Sequence, residues 1–172
     1  MKNLTNYYAY CDGACSGNPG PAGWGVLLED GDGLCLELSG YLGQGTNQVA
    51  ELVAAIVALR NVPSGASVNL HSDSKYVITG LSEWVQSWES RGWRTAGGKP
   101  VANLELWKAL RSLERARQVT LTWVKGHAGH PKNERVDALA TDAVARGRKG
   151  VMPTEPATEF ETQRTPQQSA LL

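Results

Sequence analysis

The sequence has few cysteines and no long hydrophobic run. Its three cysteines, Cys11, Cys15 and Cys35, are odd in number and lack the paired spacing of a zinc site. A disulfide framework and a structural zinc centre are therefore both disfavoured, and we expect reduced thiols.

No segment approaches the roughly eighteen consecutive apolar residues of a membrane helix, and the first residues lack the pattern of a secretory signal. We expect a soluble, cytoplasmic protein with no membrane partner.

The chain also lacks a net charge, because 17 Lys and Arg residues balance 17 Asp and Glu residues. A net charge of zero argues against a nucleic-acid partner, but the charge is unevenly distributed along the chain. Residues 71–150 carry fourteen basic residues against eight acidic ones, whereas residues 1–70 carry two against six. A local excess of positive charge can bind phosphates although the total is zero. Nucleic acid therefore stays open as a partner.

The length and composition favour a single domain. A chain of 172 residues, 41% of them hydrophobic, can bury one good-sized core but is short for two. The last residues are rich in Pro, Thr, Gln and Glu and show no periodicity, which is typical of disorder. We predict a globular domain over residues 1–148 and a disordered tail over 149–172. Since no exposed apolar periodic face is evident, we expect a monomer.

Hydrophobic spacing predicts an α/β fold with a mixed sheet. Two early strands should form a hairpin around the loop DGACSGNPGPAG, whose glycines and prolines we expect to interrupt them. Three adjacent strands favour an antiparallel meander, and later crossovers through helices favour parallel pairing. The predicted strands are 7–11, 25–28, 34–38, 67–72 and 119–124. The predicted helices are 47–60, with Thr46 or Asn47 as N-cap, then 74–89, 103–115 and 131–145.

Four acidic residues stand out by their positions: Asp12, Glu51, Asp73 and Asp137. Each has an ordinary structural explanation by itself. Glu51 suits the first turn of a helix, Asp73 could be an N-cap, and Asp137 could be a solvated helix residue. One mixed sheet can nevertheless bring strand ends and helix faces together. Clustered carboxylates repel one another, and their hard oxygen ligands suit Mg²⁺ or Mn²⁺, the ions of phosphoryl transfer.

The segments that contain these acids resemble the motifs of the bacterial type 1 ribonuclease H family. They are YCDGACSGNPGPAGWG around Asp12, TNQVAELVAAIVAL around Glu51, SDSKYV around Asp73, and WVKGHAGHPKNERVDALA, which contains Asp137. The resemblance covers about residues 6–146, and the first and last motifs are long and specific. It implies a five-stranded mixed sheet flanked by helices, three strands antiparallel and the others parallel.

The resemblance also implies an activity. The family cuts the RNA strand of an RNA/DNA hybrid, so the implied partner is that hybrid. Asp12, Glu51, Asp73 and Asp137 would be the catalytic metal ligands and would hold two Mg²⁺ ions in the substrate complex. The implied products carry a 5′-phosphate and a 3′-hydroxyl.

A histidine in the loop GHAGHP is the further catalytic candidate. Glycines and a proline surround His127, and no apolar periodicity would bury it. An imidazole can exchange a proton near neutral pH, which suits proton transfer or product release. A loop histidine often has no role, but His127 matches the histidine of the family loop. Glu134 matches a family acid near the site, whereas His130 can be explained as a polar residue at the start of a helix.

A hybrid differs from duplex DNA by the 2′-hydroxyls in its wide minor groove, which backbone amides and small polar side chains can contact. The loop from Gly13 onward and the start of the helix at 47–60 offer such groups. From the resemblance, the expected contacts in these two places are Gly13, Asn18, Thr46, Asn47 and Gln48.

Residues 84–99 alternate tryptophans with basic residues. The corresponding family segment grips the DNA strand, so we expect contacts from Trp84, Arg91, Trp93 and Arg94. For Trp88 we expect packing onto the core instead. Glu89 and Ser90 stand where relatives often have basic residues.

Two other functions share parts of this pattern. A DNA nuclease or integrase can have the same sheet and acidic cluster, because a fold does not determine its substrate. The loop DGACSGNPG and the basic segment argue against it. A non-catalytic hybrid-binding module would normally lack one of the metal-binding acids, and all four are present.

Overall fold

Three consecutive strands form the antiparallel part of a five-stranded sheet. The computed structural model describes residues 6–150. Its first strands are β1 (Asn6–Cys15), β2 (Gly20–Asp30) and β3 (Cys35–Gly45). β4 (Ser67–Ser72) and β5 (Gln118–Trp123) continue the sheet in parallel, in the order β3-β2-β1-β4-β5. The predicted mixed sheet is confirmed.

The first two strands run further than predicted. β1 continues through Asp12 to Cys15, and β2 begins at Gly20, with Asp12 opposite Gly25 and Cys15 opposite Ala22. The expectation that the glycines and prolines would interrupt both strands was wrong. β2 is paired on both sides, so its neighbours hold the backbone extended in spite of weak strand propensity. Asp12 therefore lies inside β1, near its end.

The helices lie on both sides of the sheet. They are α1 (Asn47–Arg60), α2 (Lys75–Thr79), α3 (Val85–Ser90), α4 (Leu104–Arg115) and α5 (Pro131–Arg148). Gly13 of β1 faces Ala50 of α1, whereas Gly25 of β2 faces Val136 of α5. Gly25 pairs with Asp12, the neighbour of Gly13, and successive residues of a strand point to opposite faces. α1 and α5 therefore cover opposite faces.

The predicted helix at 74–89 is divided. A π-helical turn at Gly80–Trp84 separates α2 from α3. A Cβ on Gly80 would lie 2.0 Å from the ring of Trp107, so only glycine lets α4 pack this closely. The sequence pattern could not show this contact, because Trp107 comes from a later helix.

The main core lies between the sheet and α1, with α4 packed on the other side of α1. α1 buries residues all around its axis, from Ala50 to Leu59. Trp24, Trp107 and Leu70 are among the large side chains with no solvent exposure. Among residues 6–150, no helix is long and apolar enough to cross a membrane. The tail predicted from residue 149 lies outside the described residues from 151 onward.

Candidate active site

Asp12 is the most enclosed of the four predicted acids. Its exposed fraction is 6%, and the backbone N–H of Gly13 donates to its Oδ1 at 2.9 Å. The carboxyl groups of Asp73 and Asp137 lie near enough for their negative charges to act on Asp12. Burial, followed by the negative charges of Asp73 and Asp137, raises the pKa of Asp12 far above the usual range of a carboxyl group. β1, the end of β4 and α5 thus place three of the predicted acids in one electrostatic environment.

Glu51 is joined to the same edge of the sheet by a serine. Ser74 donates from its Oγ to Glu51 Oε2 at 2.6 Å, and the same Oγ accepts from Val77 N at 3.2 Å as the N-cap of α2. Burial raises the pKa of Glu51, the bond from Ser74 lowers it, and the charge of Asp73 raises it. The cap of α2 is therefore Ser74, not Asp73, which leaves the Asp73 carboxylate available at the site.

Strand pairing and one close approach place three of the acids at the same end of the sheet. Cys11 and Ser72 are partners in the parallel pair β1–β4, so the residues that follow them, Asp12 and Asp73, lie at the same end of the sheet. A Cβ on Gly13 would lie 2.5 Å from the backbone N of Glu51. The missing side chain at Gly13 therefore allows α1 to carry Glu51 against β1.

The loop after β5 reaches the acidic cluster and carries His127. A Cβ on Gly126 would lie 3.1 Å from Asp73 Oδ2, so the loop backbone passes directly beside that carboxylate. His127 is exposed and has a positive φ of 56°, which is uncommon for a residue with a side chain. Such backbone conformations cluster at functional sites.

The start of α5 follows this loop. His130 is the N-cap of α5, since its Nδ1 accepts from Asn133 N at 3.3 Å. Glu134 lies exposed in the first turn. His130 therefore has the structural role expected at a helix start, and Glu134 faces solvent beside the loop.

Sequence reasoning missed two side chains that touch the cluster. One is Ser74. The other is Trp123, whose Nε1 donates to the backbone oxygen of Asp73 at 3.1 Å and whose exposed fraction is 43%. Lys75 Nζ lies 4.9 Å from the centre of its indole ring. The available signals were a serine at a helix start and a large aromatic residue at a strand end.

Hydrogen bonds hold three of the residues predicted to contact substrate near the first loop. Asn18 Oδ1 accepts from Asn47 N at 3.2 Å, joining the β1–β2 turn to the start of α1. Thr46 is the N-cap, with its Oγ1 accepting from Val49 N at 3.1 Å. Asn18, Asn47 and Gln48 are exposed. Capping thus accounts for Thr46, while the exposed amides remain available to a ligand.

The tryptophans of residues 84–99 belong to an aromatic cluster. Trp88 packs edge-on against Trp107, with ring centres 5.3 Å apart, so the structure agrees with its predicted packing role. Trp84 lies between Tyr76 and Trp88, at 5.9 Å and 5.8 Å. Trp93 is half-buried with Lys108 5.9 Å from its ring centre. Trp84 and Trp93 therefore each have a packing role in addition to the predicted substrate contact.

The basic residues of this segment are exposed, but Glu89 is not free. Arg91 and Arg94 face solvent, and Arg94 Nη1 donates to Gly98 O at 3.0 Å. Glu89 accepts from Arg111 at 2.9 Å and forms an ion pair with Arg115 at 2.6 Å. The acidic residue in the basic segment thus holds α3 to α4.

Known proteins resemble this chain in sequence and in fold. The family model described as RNase H matches residues 5–145. A ribonuclease H from Mesorhizobium japonicum is 52% identical over 141 residues, covering 82% of this chain and 79% of the relative.

Two solved structures are also similar. LC9-RNase H1, described as a type 1 RNase H with the type 2 active-site motif, has a TM-score of 0.74 at 28% identity, covering 99% of this chain and 86% of that one. LC11-RNase H1 in complex with RNA/DNA hybrid has a TM-score of 0.63 at 26% identity, covering 83% of this chain and 99% of that one.

Proposed function

The chain belongs to the ribonuclease H family, and we propose that it hydrolyses the RNA strand of RNA/DNA hybrids at internal phosphodiester bonds. The hybrid as substrate is supported by the similar protein solved in complex with RNA/DNA hybrid. We further propose that the protein acts as a monomer.

The observation that carries the proposal is the electrostatic state of Asp12. Asp12 is buried, and its carboxyl group lies near the negative charges of Asp73 and Asp137, so its ionised form is unfavourable. Its described neighbours add negative charge rather than a compensating cation. A site of this kind favours a bound cation, because the cation removes the repulsion that the protein has left uncompensated.

The donor set fits Mg²⁺ or Mn²⁺. Asp12, Glu51, Asp73 and Asp137 offer only carboxylate oxygens, which are the ligands that these hard cations prefer. Within residues 6–150, no three acidic, histidine or cysteine side chains already form a metal cage. Ionised carboxylates repel one another, so we propose that cations, two in the substrate complex, draw these four together. Bound there, divalent ions would supply Lewis-acid stabilisation of the phosphoryl group and an activated water. The cleaved RNA would then carry a 5′-phosphate and a 3′-hydroxyl.

The side chains around the acids have supporting roles in this proposal. Ser74 orients Glu51 through its 2.6 Å hydrogen bond. His127, exposed on a loop that passes beside Asp73, transfers a proton or assists product release. Glu134 faces solvent in the first turn of α5 and is proposed to assist the exchange of metal or water at the site.

Recognition of the hybrid is proposed to use two surfaces. Gly13, Asn18, Thr46, Asn47 and Gln48 lie where the β1–β2 turn meets α1, and small polar groups there suit the 2′-hydroxyls of RNA. The exposed guanidinium groups of Arg91 and Arg94, together with Trp84 and Trp93, are proposed to contact the DNA strand.

One parallel digest tests the proposal. Uniformly labelled RNA/DNA hybrid, duplex RNA and duplex DNA are incubated with the full chain and Mg²⁺, and the product ends are identified. We expect cleavage of the RNA in the hybrid alone, with 5′-phosphate ends, and none in EDTA. Cleavage of duplex DNA would instead favour the nuclease or integrase alternative, and binding of the hybrid without cleavage would favour a non-catalytic module.

A further inference from the structure

The last turn of α5 places an arginine on the β1–β2 turn. Arg148 Nη1 donates to Ser16 Oγ at 3.0 Å, and this contact links residues at opposite ends of the described chain. Ser16 directly precedes Gly17 and Asn18 in that turn, and all three are exposed. The guanidinium group is thus held on the same turn that carries Asn18, whose amide side chain is proposed to contact the hybrid.

Arg148 differs from the other basic residues of α5 in its partner. Lys132 pairs with Glu29, Arg135 with Glu37, and Arg146 with Asp142. In the described part of the chain, the partner of the Arg148 guanidinium is a neutral hydroxyl and no carboxylate lies within ion-pair distance. Among residues 6–150, Ser16 therefore holds the guanidinium group and no acidic side chain neutralises it.

The surroundings of Arg148 favour an anion. Ser16, Asn18 and the start of α1 form a continuous exposed surface, joined by the bonds from Arg148 to Ser16 and from Asn47 to Asn18. The residues of this surface are neutral, apart from Arg148 itself, and the helix start adds partial positive charge. A guanidinium group with several unused N–H donors binds a phosphate by paired hydrogen bonds.

We propose that Arg148 is a phosphate-binding residue for the backbone of the hybrid, positioned by Ser16 at the outer end of the surface that carries Asn18 and Asn47. This inference rests on the proposed function. It extends the interaction surface onto the C-terminal end of α5, away from the basic residues of 84–99. Its contribution is to affinity, because Arg148 lies on the recognition surface and not among the four acids.

Salt-dependent binding tests this assignment. Each phosphate contact steepens the dependence of log affinity on log salt by about 0.7 to 0.9. In the full chain with Asp12→Asn, which keeps the hybrid intact, Arg148→Ala is expected to bind about three- to tenfold more weakly at low salt, with a slope shallower by about one contact. Arg148→Lys is expected to keep the slope of the parent, since it keeps the charge.

Arg146→Ala is the matched control. It removes the same charge from the same helix, but from a residue engaged by Asp142 and Ser39. We expect its slope to equal that of the parent. Equal slopes for Arg148→Ala and the parent would overturn the proposal, and so would equal reductions in both alanine variants, which would show an effect of net charge alone.

Turnover separates this inference from the proposed function. With Asp12 restored, Arg148→Ala is expected to raise the KM for the hybrid and leave kcat unchanged. If the unsubstituted chain neither binds nor cleaves the hybrid, the proposed function fails. If it does both and Arg148→Ala matches it in slope and KM, only the assignment of Arg148 fails.

Discussion

Asp12 and Glu89 are two shielded acidic residues in opposite surroundings. Glu89 lies between two arginines of α4, at 2.9 Å from Arg111 and 2.6 Å from Arg115. Asp12 lies among other carboxyl groups, and its pKa is raised by burial and by Asp73 and Asp137. Glu89 therefore stabilises the α3–α4 junction, whereas the surroundings of Asp12 disfavour its ionised form. This difference agrees with the proposal that the acidic cluster binds a cation at a cost to the stability of the free protein.

Asp12→Asn should produce the largest effect and the clearest test of this contrast. We expect a loss of roughly a thousandfold or more in hybrid cleavage with Mg²⁺, since metal-assisted stabilisation is worth several kcal/mol. The same change should stabilise the protein in EDTA by about 1 to 2 kcal/mol, because on folding Asp12 must take up a proton or bury a negative charge and asparagine does neither. Denaturant unfolding in EDTA measures the second effect. A less stable variant would contradict the view that repulsion dominates at Asp12.

His127→Ala should come next in size. We expect cleavage to slow by about ten- to a thousandfold, the range for the loss of an acid or base group, while stability stays unchanged. Steady-state rates over a range of pH provide the measurement, with His130→Asn as a control that keeps a capping side chain on α5. Equal rates for His127→Ala and the unsubstituted chain at every pH would place His127 outside the chemistry.

Glu89→Gln should have a smaller effect, and it should lower the stability of the protein where Asp12→Asn raises it. It removes the carboxylate between two arginines, so we expect a loss of about 0.5 to 1 kcal/mol of stability, limited by the partial exposure of the pairs. Cleavage at saturating hybrid should be unchanged. Thermal unfolding together with turnover checks both statements. A stabilised Glu89→Gln variant would remove the contrast with Asp12.

Truncation after Gly150 should have the smallest effect on stability and activity. Residues 151–172 are rich in polar residues and proline, so we expect the melting temperature and the cleavage rate to stay nearly the same. Both regions compared above lie within residues 6–150. A large drop in melting temperature would show that the removed segment stabilises the domain, contrary to the predicted disordered tail.

Local patterns predicted most elements of this fold well. The bounds of α1 and β4 agree with the structure, because hydrophobic periodicity and capping residues act over a few positions. The errors have long-range causes. β1 extends past Asp12 because β2 holds it extended, and the helix at 74–89 divides where Trp107 packs on Gly80. Neither neighbour is visible in the local pattern.

The residues of the candidate site were also predictable only where local sequence identifies them. The sequence motifs indicated Asp12, Glu51, Asp73, Asp137 and His127 as candidate site residues. They did not indicate that Ser74 joins Glu51 to α2, that Trp123 bonds the backbone of Asp73, or that Glu89 is held by α4. Each of these contacts depends on side-chain direction across elements far apart in sequence.

The sequence by itself determined the order of the elements, the family and the acids available for chemistry, since these depend on residue type and near neighbours. The tertiary structure alone decided which ionisable groups of residues 6–150 lie beside an opposite charge. Asp12 meets Asp137 rather than an arginine, and Arg148 meets a hydroxyl rather than a carboxylate. Electrostatic energy depends on distance and burial, and both are set only when strands and helices pack.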